Sequence, residues 1–294
     1  MSNPGHIPKD LPGLRQALDQ HDYLADLALS TALFCALSLR QPLLLEGEPG
    51  VGKTEAAKAL AAAIGSPLLR LQCYEGIDSS EALYEWDYPR QLLAIRLAEG
   101  SGRHLSDGDL FTEQYLIQRP LFQALRHQGD SPTVLLIDEI DRADDEFEAF
   151  LLELLGEKTL TIPELGTFST KNPPVVILTS NRTRDVHDAL RRRCLYHWID
   201  YPPLEVAISI LRRKVPGATQ QLVETTAGAL GAMRSAKLHK PPGIAEGIDW
   251  LESLRLLGFS KLDNQALGAT IGAVAKYRED QEAILSMDLL HDAS

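Results

Sequence analysis

Leu43-Leu44-Leu45-Glu46-Gly47-Glu48-Pro49-Gly50-Val51-Gly52-Lys53-Thr54 is the stretch that decides the fold. Its leucines read as a short buried strand, and the eight residues GEPGVGKT fit the pattern G-x-x-x-x-G-K-(S/T). Residues 55–64 then continue in a helical apolar pattern. A glycine-rich loop between a strand and a helix is the context that marks a phosphate-binding loop. Glycines let backbone N–H groups curl around phosphate oxygens, and the helix N-terminus adds positive potential. A lysine at this position reaches the β and γ oxygens, and the following hydroxyl holds magnesium. Gly47, Glu48, Pro49, Gly50, Val51, Gly52, Lys53, Thr54 and Glu55 are therefore expected to line a site for ATP and Mg2+. Such a pattern arises by accident in roughly 1% of chains of this length, before any demand for the flanking elements. The phosphate reading is the one retained.

Working outward, similar apolar runs recur at 67–71, 134–137, 175–178 and 195–199. Most show little alternation, as expected of parallel strands covered on both faces. Helical patterns such as 55–64 and 146–155 lie between them, so the class is α/β with five parallel strands. After Tyr201-Pro202-Pro203 the runs cease, and helices are expected over 204–215, 218–233, 244–257 and 264–287. Pro216-Gly217 and Pro241-Pro242-Gly243 separate them. The expected division is an N-terminal extension (1–20), a nucleotide-binding αβα domain (21–203) and a small all-helical lid (204–294), joined by a short hinge near Pro202 and Pro203.

The third run ends in Asp138 and Glu139, two carboxylates where a phosphate-bound metal would be met at the carboxyl edge of the sheet. Asp138, with Thr54, is expected to coordinate magnesium, and Glu139 to polarise the attacking water as general base. Asn181, at the end of the fourth run, is the candidate for orienting that water without adding charge. Arg191, Arg192 and Arg193 precede the fifth strand. One of them, Arg193 ahead of Arg192, is expected to reach a neighbouring subunit's γ-phosphate, the alternative being a solvated basic patch at a helix end.

Composition narrows the partners. With 29 basic against 41 acidic residues the formal charge is −12, which disfavours nucleic acid as the main partner. Three cysteines with no CxxC or Cys/His spacing argue against a disulfide framework or a zinc site and suit a reducing compartment. The N-terminus has no basic segment followed by an apolar run, so a cytoplasmic location is expected. Residues 24–39 are interrupted by polar side chains, and are expected as a buried helix with no membrane span.

The GEPGVGKT loop, the LLIDEIDRAD segment, the TSN end of the fourth strand and LRRRC followed by a strand and Tyr-Pro-Pro together resemble the MoxR branch of AAA+ ATPases over roughly residues 33–203. Residues 73–125 resemble more narrowly the CoxD-like branch tied to carbon monoxide dehydrogenase maturation. The resemblance implies a P-loop NTPase sandwich with strands in the order five, one, four, three, two, a helical lid, and hexameric rings with ATP sites between subunits. It also implies a chaperone that matures or inserts cofactors into a client metalloenzyme, alongside a partner carrying a von Willebrand factor A domain. Segments at 83–119 and 159–170 would project toward a pore or client, the second as a hairpin with a Pro-Glu-Leu connection. One departure is that residues 243–247 lack the lid arginine the family commonly carries, with Arg234 or Lys237 as substitutes. The alternative function is an ATP-dependent assembly switch with little hydrolysis of its own.

Overall fold

The runs at 43–47, 134–138 and 175–180 become strands buried along their whole length, and those at 68–72 and 195–199 become outer strands that are only partly covered. The computed structural model describes residues 7–157, 159–162, 165–169 and 172–287. Lys158, the Pro163-Glu164 part of the expected hairpin connection, Thr170 and both chain ends lie outside them.

The chain begins with α1 (Leu11–Gln20) and α2 (Leu27–Leu39). Asp10 and Asp26 start them by accepting the free backbone N–H groups of Gly13 at 2.8 Å and Leu29 at 2.7 Å. Then come β1 (Leu43–Gly47), α3 (Lys53–Ala63) and β2 (Leu68–Gln72). An excursion follows, comprising α4 (Ser79–Leu83), β3 (Tyr84–Trp86), α5 (Tyr88–Gly100), α6 (Asp107–Leu110), β4 (Leu116–Gln118) and α7 (Pro120–Arg126). The chain re-enters the sheet at β5 (Val134–Asp138), continues through α8 (Asp145–Glu157) and the antiparallel pair β6 (Thr159–Ile162) and β7 (Gly166–Ser169), and returns at β8 (Val175–Ser180). After α9 (Asp188–Arg193), β9 (Leu195–Ile199) closes the sheet.

The five long strands pair in parallel in the order β2-β5-β8-β1-β9. This is the order that the family resemblance implies. Alternation splits each strand between two layers: Leu43, Leu45, Leu136 and Ile177 face α1, α2 and α3, while Leu44, Leu135, Ile137 and Leu178 face α7 and α8. Residues 11–20, expected to precede the domain, put Leu14 and Leu18 into the first of these layers. The expected buried helix at 24–39 is one-sided: Leu29, Leu33, Ala36 and Leu37 are covered, whereas Leu27 and Leu39 are exposed. Among the described residues no helix is long and apolar enough to cross a membrane.

The last domain is α10 (Leu204–Lys214), α11 (Gln220–Ser235), α12 (Ile244–Leu256), α13 (Asn264–Val274) and α14 (Arg278–Ser286), packed around the buried Trp250. The single helix expected over 264–287 is two. Ala275 and Tyr277 are extended, and Lys276 folds back to donate to the carbonyls of Gly272 and Ala273 at the end of α13. The bend brings buried Asp280 under the 239–240 loop, where it accepts the backbone N–H groups of His239 and Lys240 at 2.8 and 3.1 Å.

Candidate functional site

The loop between β1 and α3 is held in shape by three glycines with positive φ, at 157° for Gly47, 78° for Gly50 and 100° for Gly52. A β-carbon on Gly47 would lie 2.4 Å from the Ile199 carbonyl of β9, so close packing as well as backbone angle requires glycine there. Lys53 is buried, and its Nζ donates to the carbonyls of Gly47 at 2.7 Å and Glu48 at 2.8 Å. Burial pulls its pKa down from the usual lysine value, opposed by Asp141, Glu48, Asp138 and Glu139. Tyr23, from the segment between α1 and α2, donates its hydroxyl to the Gly52 carbonyl at 3.3 Å where α3 begins. Burial first, then Asp26 and Glu55, push its pKa upward, so it stays a donor.

Parallel pairing sets the carboxylates against this loop. Asp138 lies opposite Gln72 of β2, and Leu178 lies opposite Ile137. The next residue of β8, Thr179, is therefore beside Asp138. Asp138 Oδ1 accepts the hydroxyls of Thr54, at 3.1 Å, and Thr179. Oδ2 accepts Arg70 Nε at 3.0 Å and a terminal Arg70 nitrogen at 2.6 Å. Glu139 takes a left-handed conformation, φ 56°, with its N–H donating to Thr179 Oγ1 at 2.9 Å and its carboxylate 3.3 Å from Arg142 Nε. Behind it, buried Asp141 accepts the backbone N–H groups of Asn181 and Thr183 and the Thr183 hydroxyl, pinning the loop after β8. The side-chain amide of Asn181 has no hydrogen bond among the described residues. Oxygen donors beside a lysine and a glycine-lined backbone cradle suit a hard divalent ion carried on phosphates. Among the described residues no group of three His, Cys, Asp or Glu side chains gathers to hold a metal unaided.

Each of the three arginines has its own environment. Arg191 pairs with buried Glu46 at 2.7 Å, and Tyr196 donates to the same carboxylate at 3.0 Å. Arg193 donates to the Leu152 carbonyl of α8 at 2.5 Å. Arg192 is exposed at the C-terminal turn of α9 with no hydrogen bond or ion pair among the described residues. The lid meets the loop from the other side: Ile244 and Ala245 N–H groups, at the start of α12, donate to the Gly50 carbonyl at 3.0 and 3.2 Å. Arg234 packs 4.6 Å from the centre of the Tyr201 ring and donates to the Pro242 carbonyl at 2.8 Å, leaving one buried terminal nitrogen without a partner.

Residues 42–194, about half of the chain, match the family described as AAA domain (dynein-related subfamily). The chain belongs to that family. It is also similar to protein MoxR of Paracoccus denitrificans, 25% identical over 140 residues that make up 45% of this chain and 34% of MoxR, so it spans about a third of that relative's length. This likeness makes it a MoxR-like AAA+ protein; the CoxD-like branch stays an expectation. Among solved structures, two RuvB mutants from Thermotoga maritima superpose with TM-scores of 0.52 and 0.50. They are 16% and 17% identical, and each alignment covers 88% of this chain and 72% of RuvB. They speak for the αβα fold with its helical lid.

In this AAA domain, Lys53, Thr54, Asp138, Glu139 and the loop carrying Asn181 meet at one edge of the sheet. Glu55 departs from the sequence reading: its carboxylate pairs with Lys58 at 2.6 Å on the outer side of α3. Arg70, Asp141, Tyr23 and the α12 N-terminus were not singled out from sequence. Of these only Asp141, three residues beyond Asp138, carries a sequence signal, as the third acid of Asp138-Glu139-Ile140-Asp141.

Proposed function

We propose that this chain binds ATP with magnesium at the β1–α3 loop and hydrolyses it to remodel a client protein, working as a ring of copies. The observation that carries the reading is the junction of Lys53, Thr54 and Asp138 on a loop whose glycines leave the backbone open to phosphate. Lys53 and the α3 N-terminus bind and orient the phosphates. Thr54 and Asp138 are the residues that would hold magnesium, which when bound neutralises charge on the phosphate oxygens. Glu139 takes the proton of the attacking water, and Asn181 orients that water. Arg192, exposed and uncommitted, is better placed than Arg193 to serve a neighbour's site, because Arg193 is occupied by the Leu152 carbonyl. Arg234, with one unpartnered nitrogen beside the hinge tyrosine, takes the part of the missing lid arginine. A hexamer, a metalloenzyme client and a von Willebrand factor A partner are part of this proposal, and the family resemblance of the sequence motifs supports them. An exposed run on α5, Tyr88, Leu92, Leu93 and Leu97, supports a protein-binding role for the excursion.

One observation favours the assembly-switch reading instead: the Glu139 carboxylate rests against Arg142. ATP turnover against protein concentration, with particle mass recorded, separates the two for wild type, Glu139→Gln and Arg192→Ala. The remodelling reading expects turnover to rise with assembly, Glu139→Gln to assemble but stop, and Arg192→Ala to assemble but slow by roughly 10³-fold or more. Wild type no faster than Glu139→Gln in every assembly state would leave the switch.

A further inference from the structure

Asp138 already carries a cation. Two nitrogens of Arg70 converge on Oδ2, and the terminal one also donates to Gln72 Oε1 at 2.5 Å, so the guanidinium is clamped between a buried carboxylate and the end of its own strand. The other carboxylate oxygen is taken up by Thr54 and Thr179. Every acceptor position of Asp138 is therefore in use, and one of its partners is a guanidinium cation. Arg70 is not fixed by burial: its side chain is half exposed, and β2 is the edge strand of the sheet, so solvent is open to it on one side.

A guanidinium and a divalent ion that share one carboxylate repel each other, and the repulsion is large beside a wall that excludes water. Conversely, Arg70 offsets the negative charge that Asp138, Glu139 and Asp141 would otherwise present to a metal-free nucleotide. We propose that Arg70 is a resident placeholder cation on Asp138, which supports nucleotide in the absence of metal and must yield when magnesium arrives, and thereby sets how strongly binding depends on metal. This rests on the ATP and magnesium reading above. Removing the charge should act in opposite directions on the two forms: metal-free ADP binds more weakly, and ADP with magnesium gains relative to it.

The test is calorimetric titration of the full chain with ADP, in excess magnesium and in chelator, for wild type, Arg70→Ala, Arg70→Gln and Arg70→Lys. Thermal melts without nucleotide are run beside each. The ratio of the affinity with magnesium to that without should rise roughly tenfold in Arg70→Ala and Arg70→Gln. It should return to within about threefold of wild type in Arg70→Lys, which keeps the charge and loses the fork. Arg70→Gln keeps a hydrogen-bonding arm and stands in should Arg70→Ala fail to fold. A ratio within about twofold of wild type in the neutral variants, whatever happens to the melting temperature, overturns the proposal and leaves Arg70 as an ion pair of the fold. If wild type binds no ADP in either buffer, the nucleotide reading falls and the placeholder falls with it.

Discussion

Gly47 shows how narrow the tolerances of the phosphate loop are. A β-carbon there would meet the Ile199 carbonyl at 2.4 Å, and that carbonyl belongs to a strand already paired with β1 along its length, so it has nowhere to go. Gly47→Ala is expected to cost about 2–4 kcal/mol of stability, read as a drop in the urea midpoint at constant slope. A loss under about 1 kcal/mol would mean that β9 can shift away. The same loop buries Lys53 with its charge, which is tolerable only because two carbonyls accept from it and four carboxylates lie near. Elsewhere burial is passive: the thiols of Cys73 and Cys194 are pushed up to about 12, chiefly by desolvation, and stay protonated and unreactive.

The side chain of Glu148 ties helix α8 to the start of α9. Glu148 is fully buried in α8, accepts the His187 N–H at the start of α9 at 2.7 Å, and also pairs with Arg184 in the loop between β8 and α9. Glu148→Ala leaves that N–H and a partly buried arginine without their acceptor. We expect a loss of about 2 kcal/mol, with faster amide exchange concentrated at the start of α9 and β8 still protected. Exchange rising equally in both would show that the link is global. Couplings of this kind explain what could be read in the sequence and what could not. The strands of the central sheet were legible because 134–137 and 175–178 are apolar without interruption. The loop was legible because its glycine spacing is itself the chemistry. Arg70 was invisible because it lies within the apolar run Leu68-Leu69-Arg70-Leu71, and its partner is known only once β2 is laid beside β5. The three arginines were legible as a group. Their individual fates depend on Glu46 and Leu152, which the fold brings to them from distant parts of the chain. The break between α13 and α14 escaped because it contains no proline or glycine, only Ala275-Lys276-Tyr277.

At the scale of the whole molecule, the lid meets the phosphate loop where two glycines, Gly50 and Gly243, lie backbone to backbone. A β-carbon on Gly243 would fall 2.7 Å from Gly50 Cα, and one on Gly50 would fall 3.1 Å from Gly243 Cα and 2.5 Å from Glu246 Oε2. Gly243→Ala has ordinary extended angles at its own position, so the lid should fold as before and merely stand off from the loop. Helical content and the melting of the lid should be preserved while ADP affinity falls by roughly tenfold. Unchanged affinity would separate the lid from the nucleotide site. This contact bears on how the chain can be rebuilt. A chimaera that borrows the helical domain of another protein would also import whatever residue that protein sets opposite Gly50. Only a donor that presents no β-carbon there could be grafted on without re-cutting the loop, so the lid is not an interchangeable part.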